Sequence, residues 1–185
     1  MSRREVLLTN GLGGYALFAV DGDLPRSYSG LLTAAMRPPV ERRLFVARLD
    51  DLGVPVAFER DPWPCHVWQR PGGSRLERRV LMVHGRNEVL VRYRLVEAER
   101  QERLSLEPWL AFRDHHAVRR GDSRPEPPVA DAEAAAAPAY PVHRVFTTPG
   151  EPPLHLHATA GRWIEAPGWR RDVPHENETE RGLPD

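Results

Sequence analysis

Residues 79–95 read RVLMVHGRNEVLVRYRL, and this stretch decides the fold class. An apolar run ends at Gly85-Arg86-Asn87, which is a turn signal, and an alternating run follows it. The order of run, turn and run predicts an antiparallel β-hairpin. The residues expected on one face of its second strand are Val89, Val91, Tyr93 and Leu95.

Similar short runs recur along the chain between 19 prolines and 14 glycines. Residues 42–49 and 103–108 alternate in part, while residues 155–158 and 162–165 flank Gly161 as a second, smaller hairpin. No amphipathic helix longer than about two turns is apparent. We therefore predict an all-β fold with few or no helices, a large antiparallel β-sandwich. The Pro- and Ala-rich residues 124–141 are predicted to form a surface loop.

Composition excludes several classes of function. Basic and acidic side chains number 26 each, so no net charge attracts nucleic acid or an anionic membrane. All basic residues are arginines, which excludes a lysine nucleophile, and the single Cys65 excludes a disulfide. No apolar run approaches the ~18 residues of a membrane helix or the core of a signal peptide. We expect a cytoplasmic protein with no nucleic-acid or membrane partner.

Gly11-Leu12-Gly13-Gly14-Tyr15-Ala16 satisfies the G-x-G-x-x-A pattern of dinucleotide-binding proteins. A helix beginning here would meet Gly22 and Pro25, and a β-α-β unit needs a longer crossover. We therefore interpret the motif as a tight glycine turn between two strands, and we predict no cofactor.

Three further groups of residues have both a functional and a structural interpretation. His155 and His157 would share one face of a strand as a metal-binding pair, but spacing indicates no third ligand, so we predict no metal site.

Glycoside hydrolysis needs two carboxyl groups about 5–10 Å apart. The series near the end of the chain, Glu176, Glu178 and Glu180, is interpreted as a solvated face or connector, with no catalytic residue. We expect most of the five tryptophans in the core.

Several segments in order resemble one family, the N-terminal domains of bacterial and archaeal glycogen debranching enzymes (amylo-α-1,6-glucosidases). Residues 5–16, EVLLTNGLGGYA, are similar to the opening of that domain, and residues 26–35, RSYSGLLTAA, resemble its R-R-Y-H-G-L-L-V-A-A. Ser27 and Ser29 depart from the family, which has Arg and His there. The later similar elements are R-Y-x-L at 92–95, L-x-P at 106–108, F-R-D-x-H at 112–116, Trp169, and E-x-x-R-G-L at 178–183.

The resemblance implies a supersandwich-like domain over residues 1–168, with residues 169–185 starting a linker toward an α/α-barrel. In this family the barrel supplies the two carboxylates that hydrolyse α-1,6 branch linkages of glycogen or limit dextrin. This chain alone is then expected to lack them. Its implied partners are an α-glucan and a helical barrel, in cis or as a separate chain.

The resemblance also selects candidate residues for substrate binding or for the domain interface. Arg113 and Asp114 are expected to brace a loop as a bidentate pair. Two other functions stay open, a stand-alone carbohydrate-binding module and a small metal-assisted enzyme. The candidates are Asn10, Tyr15, Arg26, Tyr28, Arg113, Asp114 and His115.

Overall fold

The computed structural model describes residues 4–38, 40–117, 129–131, 140–170, 173–180 and 182. Within these residues every paired strand is antiparallel, and the one helix is a single turn, α1 at Glu176–Thr179. The all-β prediction is confirmed. The strands are β1 Glu5–Thr9, β2 Tyr15–Ala19, β3 Gly30–Arg37, β4 Glu41–Arg48, β5 Ala57–Glu59, β6 Cys65–Gln69, β7 Arg75–Met82, β8 Val89–Val96, β9 Trp109–Asp114, β10 Val129–Asp131, β11 Val142–Thr147 and β12 Leu154–Ala158.

The strands form three sheets in two compact units of the chain. One unit, Met1–Val118 with Asp172–Asp185, holds a five-stranded sheet, β1-β2-β3-β4-β9, and a four-stranded sheet, β5-β6-β7-β8. The other unit, Arg119–Arg171, holds the three-stranded sheet β10-β11-β12. The predicted boundary at residue 168 and the linker that follows stay predictions. No helix among the described residues is long and apolar enough to span a bilayer.

The hairpin predicted from residues 79–95 is confirmed as β7 and β8. Met82 pairs with Val89, and the register continues to Arg75 opposite Val96. Every second residue of β7 is buried, and Val89, Val91 and Tyr93 of β8 lie on that same, more protected face. The alternation arises because successive side chains of a strand point to opposite faces of the sheet.

The first unit is a β-sandwich, because the core side chains of its two larger sheets meet. The His66 ring of β6 lies 5.5 Å from the Phe18 ring of β2, and its Nε2 is 3.2 Å from the Ala19 carbonyl oxygen. Beside it, Arg78 of β7 donates to both carboxylate oxygens of Asp50 at 3.0 and 2.9 Å. Burial, followed by the nearby Arg78 charge, lowers the pKa of His66 to about 4.

Sequence periodicity misplaced two strands. Residues 103–108 form no strand, and β9 begins at Trp109 instead. Residues 162–165 form none either, because β12 pairs with β11 rather than with the segment after Gly161. Short alternating runs specify a face but not a partner, so local pattern alone did not select the correct pairing.

The structure also differs from the sequence predictions for the loop 124–141 and for the tryptophans. The predicted loop 124–141 contains the short strand β10, and residues 124–128 and 132–139 lie outside the described part of the chain. The expectation that most tryptophans lie in the core is wrong. Trp68 is fully buried, whereas Trp63 and Trp169 are about half exposed, at 46% and 48%.

Candidate functional site

The glycine motif forms the turn between β1 and β2, as predicted, and Asn10 holds it closed. The Asn10 side chain is fully buried. Its Oδ1 accepts hydrogen bonds from the backbone N–H groups of Leu12 and Gly14, both at 2.9 Å. Gly11 and Gly13 have φ of +79° and +99°, a region that favours glycine. The G-x-G-x-x-A pattern therefore serves a hairpin turn.

Asn10 also connects this turn to the β7–β8 turn. Its Nδ2 donates to the Arg86 carbonyl at 2.8 Å and to Asn87 Oδ1 at 3.0 Å. Asn87 in turn exchanges two hydrogen bonds with the backbone of Ala35 in β3, at 2.8 and 3.0 Å. Two asparagines thus join one end of the five-stranded sheet to the neighbouring sheet of the sandwich.

The other six candidates come together beside this turn, where β2 begins and β9 ends. Tyr15 opens β2, and its hydroxyl donates to the Tyr28 carbonyl at 3.2 Å. Its ring meets the His115 ring edge-on, with centroids 6.3 Å apart. We call this group the polar cluster. Its members are Tyr15, Arg26, Tyr28, Arg113, Asp114 and His115, joined by Glu5 and His116.

Arg26 anchors the loop between β2 and β3. Its Nε and Nη2 donate to the two carboxylate oxygens of Glu5 at 2.8 and 2.9 Å, a bidentate pair in which both side chains are 19% exposed. The hydrogen bonds that Arg26 donates to Glu5 raise the pKa of its guanidinium above the ordinary value. The guanidinium also lies over the Tyr28 ring, 5.7 Å from its centroid. Ser29 is buried and accepts a hydrogen bond from the Arg26 N–H at 3.1 Å.

Arg113 of β9 braces the same loop through carbonyl oxygens. Its Nη2 donates to the Ser27 carbonyl, and its Nη1 donates to the Asp114 and His115 carbonyls at 3.2 and 3.4 Å. Asp114 accepts a hydrogen bond from the His116 N–H at 2.9 Å. The Arg113–Asp114 bidentate pair was predicted from adjacency in sequence, whereas the guanidinium reaches across to the neighbouring loop.

Burial shifts the pKa values of Tyr15 and His115, whose rings meet inside the polar cluster. It raises the pKa of Tyr15 and lowers the pKa of His115, with the adjacent His116 lowering the latter further. Tyr15 is therefore a phenol and His115 a neutral imidazole at physiological pH.

Sequence reasoning found the seven candidates but missed the residues that hold them in place. Glu5 and His116 were quoted only as members of the motifs at 5–16 and 112–116, and Asn87 was interpreted only as part of a turn. The backbone of Arg42 in β4 accepts from the His115 N–H at 3.4 Å, and its side chain donates to the Gly13 carbonyl at 2.7 Å. These partners are distant in sequence, so no local motif marked them.

The acidic residues near the end of the chain differ from the sequence interpretation. They lie in and just after α1 rather than on an extended strand, so they do not share one face. Glu176 and Glu180 are exposed, as expected for a solvated face, but Glu178 is only 6% exposed. The Asn177 N–H donates to the Pro25 carbonyl at 3.0 Å, so α1 packs beside the loop that carries Arg26.

A second group with ligand chemistry lies in the unit of residues 119–171. His155 and His157 of β12 do share one face, and His143 of β11 stands directly opposite His157. The ligand nitrogens of these three residues all lie within 4.8 Å of one another. Sequence spacing had indicated no third ligand, because the pairing of β11 with β12 was unknown.

The comparison with protein families agrees with the order of motifs along the chain. The model of the family described as "Glycogen debranching enzyme N terminal" matches residues 4–54 and 56–185. The chain belongs to this family. The glycogen debranching enzyme N-terminal match thus covers the glycine turn, the polar cluster and the three histidines. No curated protein and no solved structure matched the chain.

Proposed function

We propose that this chain is the non-catalytic N-terminal part of a glycogen debranching enzyme. It packs on a helical α/α-barrel, in cis or as a separate chain, and shapes the rim of the glucan cleft. The barrel supplies the general acid and general base that hydrolyse the α-1,6 linkages of glycogen or limit dextrin. Membership of the family supports this assignment.

One observation carries the proposal. The family's motif residues converge in a polar cluster whose loop is held from both sides, by Glu5 through Arg26 and by β9 through Arg113. A surface held in this way is preorganised, because its side chains lose little freedom when a partner or a sugar binds. Tyr28 is half-buried and His116 is exposed, so the cluster still offers a face to such a partner.

The carboxylates of the cluster are already engaged, which favours a shaping role over catalysis. Both oxygens of Glu5 accept from Arg26, and Asp114 accepts from the backbone of His116. A glycosidase acid must hold and release a proton at the bond that breaks.

The docking half of the proposal is tested by mixing this chain with a separately produced debranching-enzyme barrel and measuring the complex by sedimentation velocity. We expect a one-to-one complex. The double variant Tyr28→Ala/His116→Ala should weaken it by at least about tenfold, since a central contact contributes about 1.4 kcal/mol or more. Arg92→Ala, on the exposed side of β8, is the matched control and should leave the affinity unchanged. Equal losses in both variants would contradict docking through the polar cluster.

A stand-alone carbohydrate-binding module is the second candidate, and the half-exposed Trp63 and Trp169 favour it. Flat aromatic faces pack against the apolar faces of sugar rings. Affinity electrophoresis of this chain alone in glycogen-containing gels separates the two candidates. Retardation that Trp63→Ala or Trp169→Ala abolishes would support the module, whereas migration unchanged by glycogen supports the barrel-dependent role.

A further inference from the structure

The face shared by β11 and β12 carries three histidines whose arrangement does not depend on the polar cluster. His143 and His157 are directly opposite in the antiparallel register, and His155 precedes His157 by two residues. Side chains at such positions project from one face of the sheet. The three imidazoles are therefore neighbours by strand geometry, although two of them lie more than ten residues from the third in sequence.

One of the distances between the nitrogens matches the edge of a metal site. His143 Nε2 and His155 Nδ1 are 3.3 Å apart. Ligands at 2.0–2.1 Å from a tetrahedral zinc ion are separated by about 3.3 Å, so this pair already spans one edge of the tetrahedron. All three ligand nitrogens lie within 4.8 Å of one another, and rotation of the exposed His155 and His157 side chains closes the remaining gap.

The surroundings of the three histidines also suit a cation. Strand alternation places Arg144 on the opposite face, where its guanidinium lies over the Trp163 ring at 5.6 Å and donates to the His143 carbonyl at 2.9 Å. The Tyr140 ring packs 5.1 Å from the His157 ring. The rings of His143 and His157 are stacked, with centroids 4.2 Å apart. A metal ion shared by the three rings binds the neutral form of each imidazole.

We propose that His143, His155 and His157 form a binding site for a divalent transition-metal ion of the zinc class. Three histidine ligands leave further coordination positions, as in zinc sites that keep an open position. Because His155 and His157 are exposed, these positions face solvent, and water or an added anion fills them. The ion would also join β11 to β12 and stabilise this sheet.

The test uses the full 185-residue chain, freed of metal with a chelator and titrated with Zn²⁺ by calorimetry. We expect one ion per chain. His155→Gln and His157→Gln should each lower the affinity by at least about tenfold, because each removes one of three ligands. His84→Gln is the matched control, since His84 is an exposed histidine of the other unit, and it should leave the affinity unchanged.

A spectrum provides a second readout that does not depend on the affinity. Co²⁺ bound in place of Zn²⁺ should show the intense visible absorption of a four- or five-coordinate ion, and His157→Gln should abolish it. Absence of zinc binding, or binding that survives both histidine variants, would overturn the proposal. Zinc binding lost instead on replacing His115 and His116 would also overturn it, because the ion would then belong to that adjacent pair.

Discussion

Replacing Asn10 with alanine should destabilise the first unit more than any single surface change. The side chain makes four hydrogen bonds of 2.8–3.0 Å, and it is fully buried. Each buried bond contributes about 1 kcal/mol net, and the Gly14 N–H would be left without its partner. We therefore expect a loss of about 3–4 kcal/mol, a large fraction of the 5–15 kcal/mol typical of a folded domain.

Urea unfolding of the full chain, followed by the combined fluorescence of its five tryptophans, of which Trp68 is buried in this unit, measures this loss. Asn87→Ala is the partner variant, and because Asn87 is exposed we expect a smaller loss of about 1–2 kcal/mol. The loss in the double variant should be about 1 kcal/mol smaller than the sum of the two single losses, because the two side chains share a hydrogen bond of 3.0 Å. A loss below about 1 kcal/mol for Asn10→Ala, or strict additivity, would refute the role of this contact.

Three more predictions concern the same unit. The pKa of His66 is about 4 in the folded state and 6.5 in the unfolded state, so the folded state favours the neutral ring. The free energy of unfolding should therefore be highest above about pH 6.5 and fall by about 3 kcal/mol as the pH drops to 4. Urea midpoints measured against pH should show this fall, and His66→Gln should flatten it. Arg26→Gln removes the bidentate contact to the partly buried Glu5 and should lower the free energy of unfolding by about 1 kcal/mol, measured by thermal unfolding. An unchanged melting temperature would contradict this prediction. Gly11→Ala should lower the free energy of unfolding by about 1–2 kcal/mol, because φ is +79° and the new Cβ would lie 2.6 Å from His84 Cε1. Gly85→Ala, with φ of +73° and no atom near the new Cβ, should lower it by only about 1 kcal/mol. Equal unfolding midpoints for the two variants would show that the contact with His84 adds nothing.

The parts of the fold that sequence predicted well are those specified locally. The hairpin of β7 and β8 follows from two alternating runs and the Gly85–Asn87 turn, and the β1–β2 turn follows from its glycines. Both features need only short-range chain geometry. Strand partners at long range are different, because a run such as 155–158 pairs equally well, by pattern alone, with any neighbouring strand.

The candidate site shows the same division. The order of motifs located the residues of the polar cluster but did not predict the partners of Arg26 and Arg113. Glu5 lies 21 residues from Arg26, and Ser27, whose carbonyl binds Arg113, lies 86 residues from it. His143 was missed as a candidate ligand for the same reason, because only the register of β11 on β12 places it opposite His157. Glu178 was expected on a solvated face because it is polar, whereas the single helical turn α1 buries its side chain.

The most direct test of the account is release of glucose from limit dextrin, measured for this chain alone, for a separately produced debranching-enzyme barrel alone, and for the two together. The account predicts little release by either part and clear release by the mixture, reduced when Tyr28→Ala/His116→Ala replaces the unmodified chain. Glucose release by this chain alone would contradict it, because its acidic groups would then have to perform the hydrolysis.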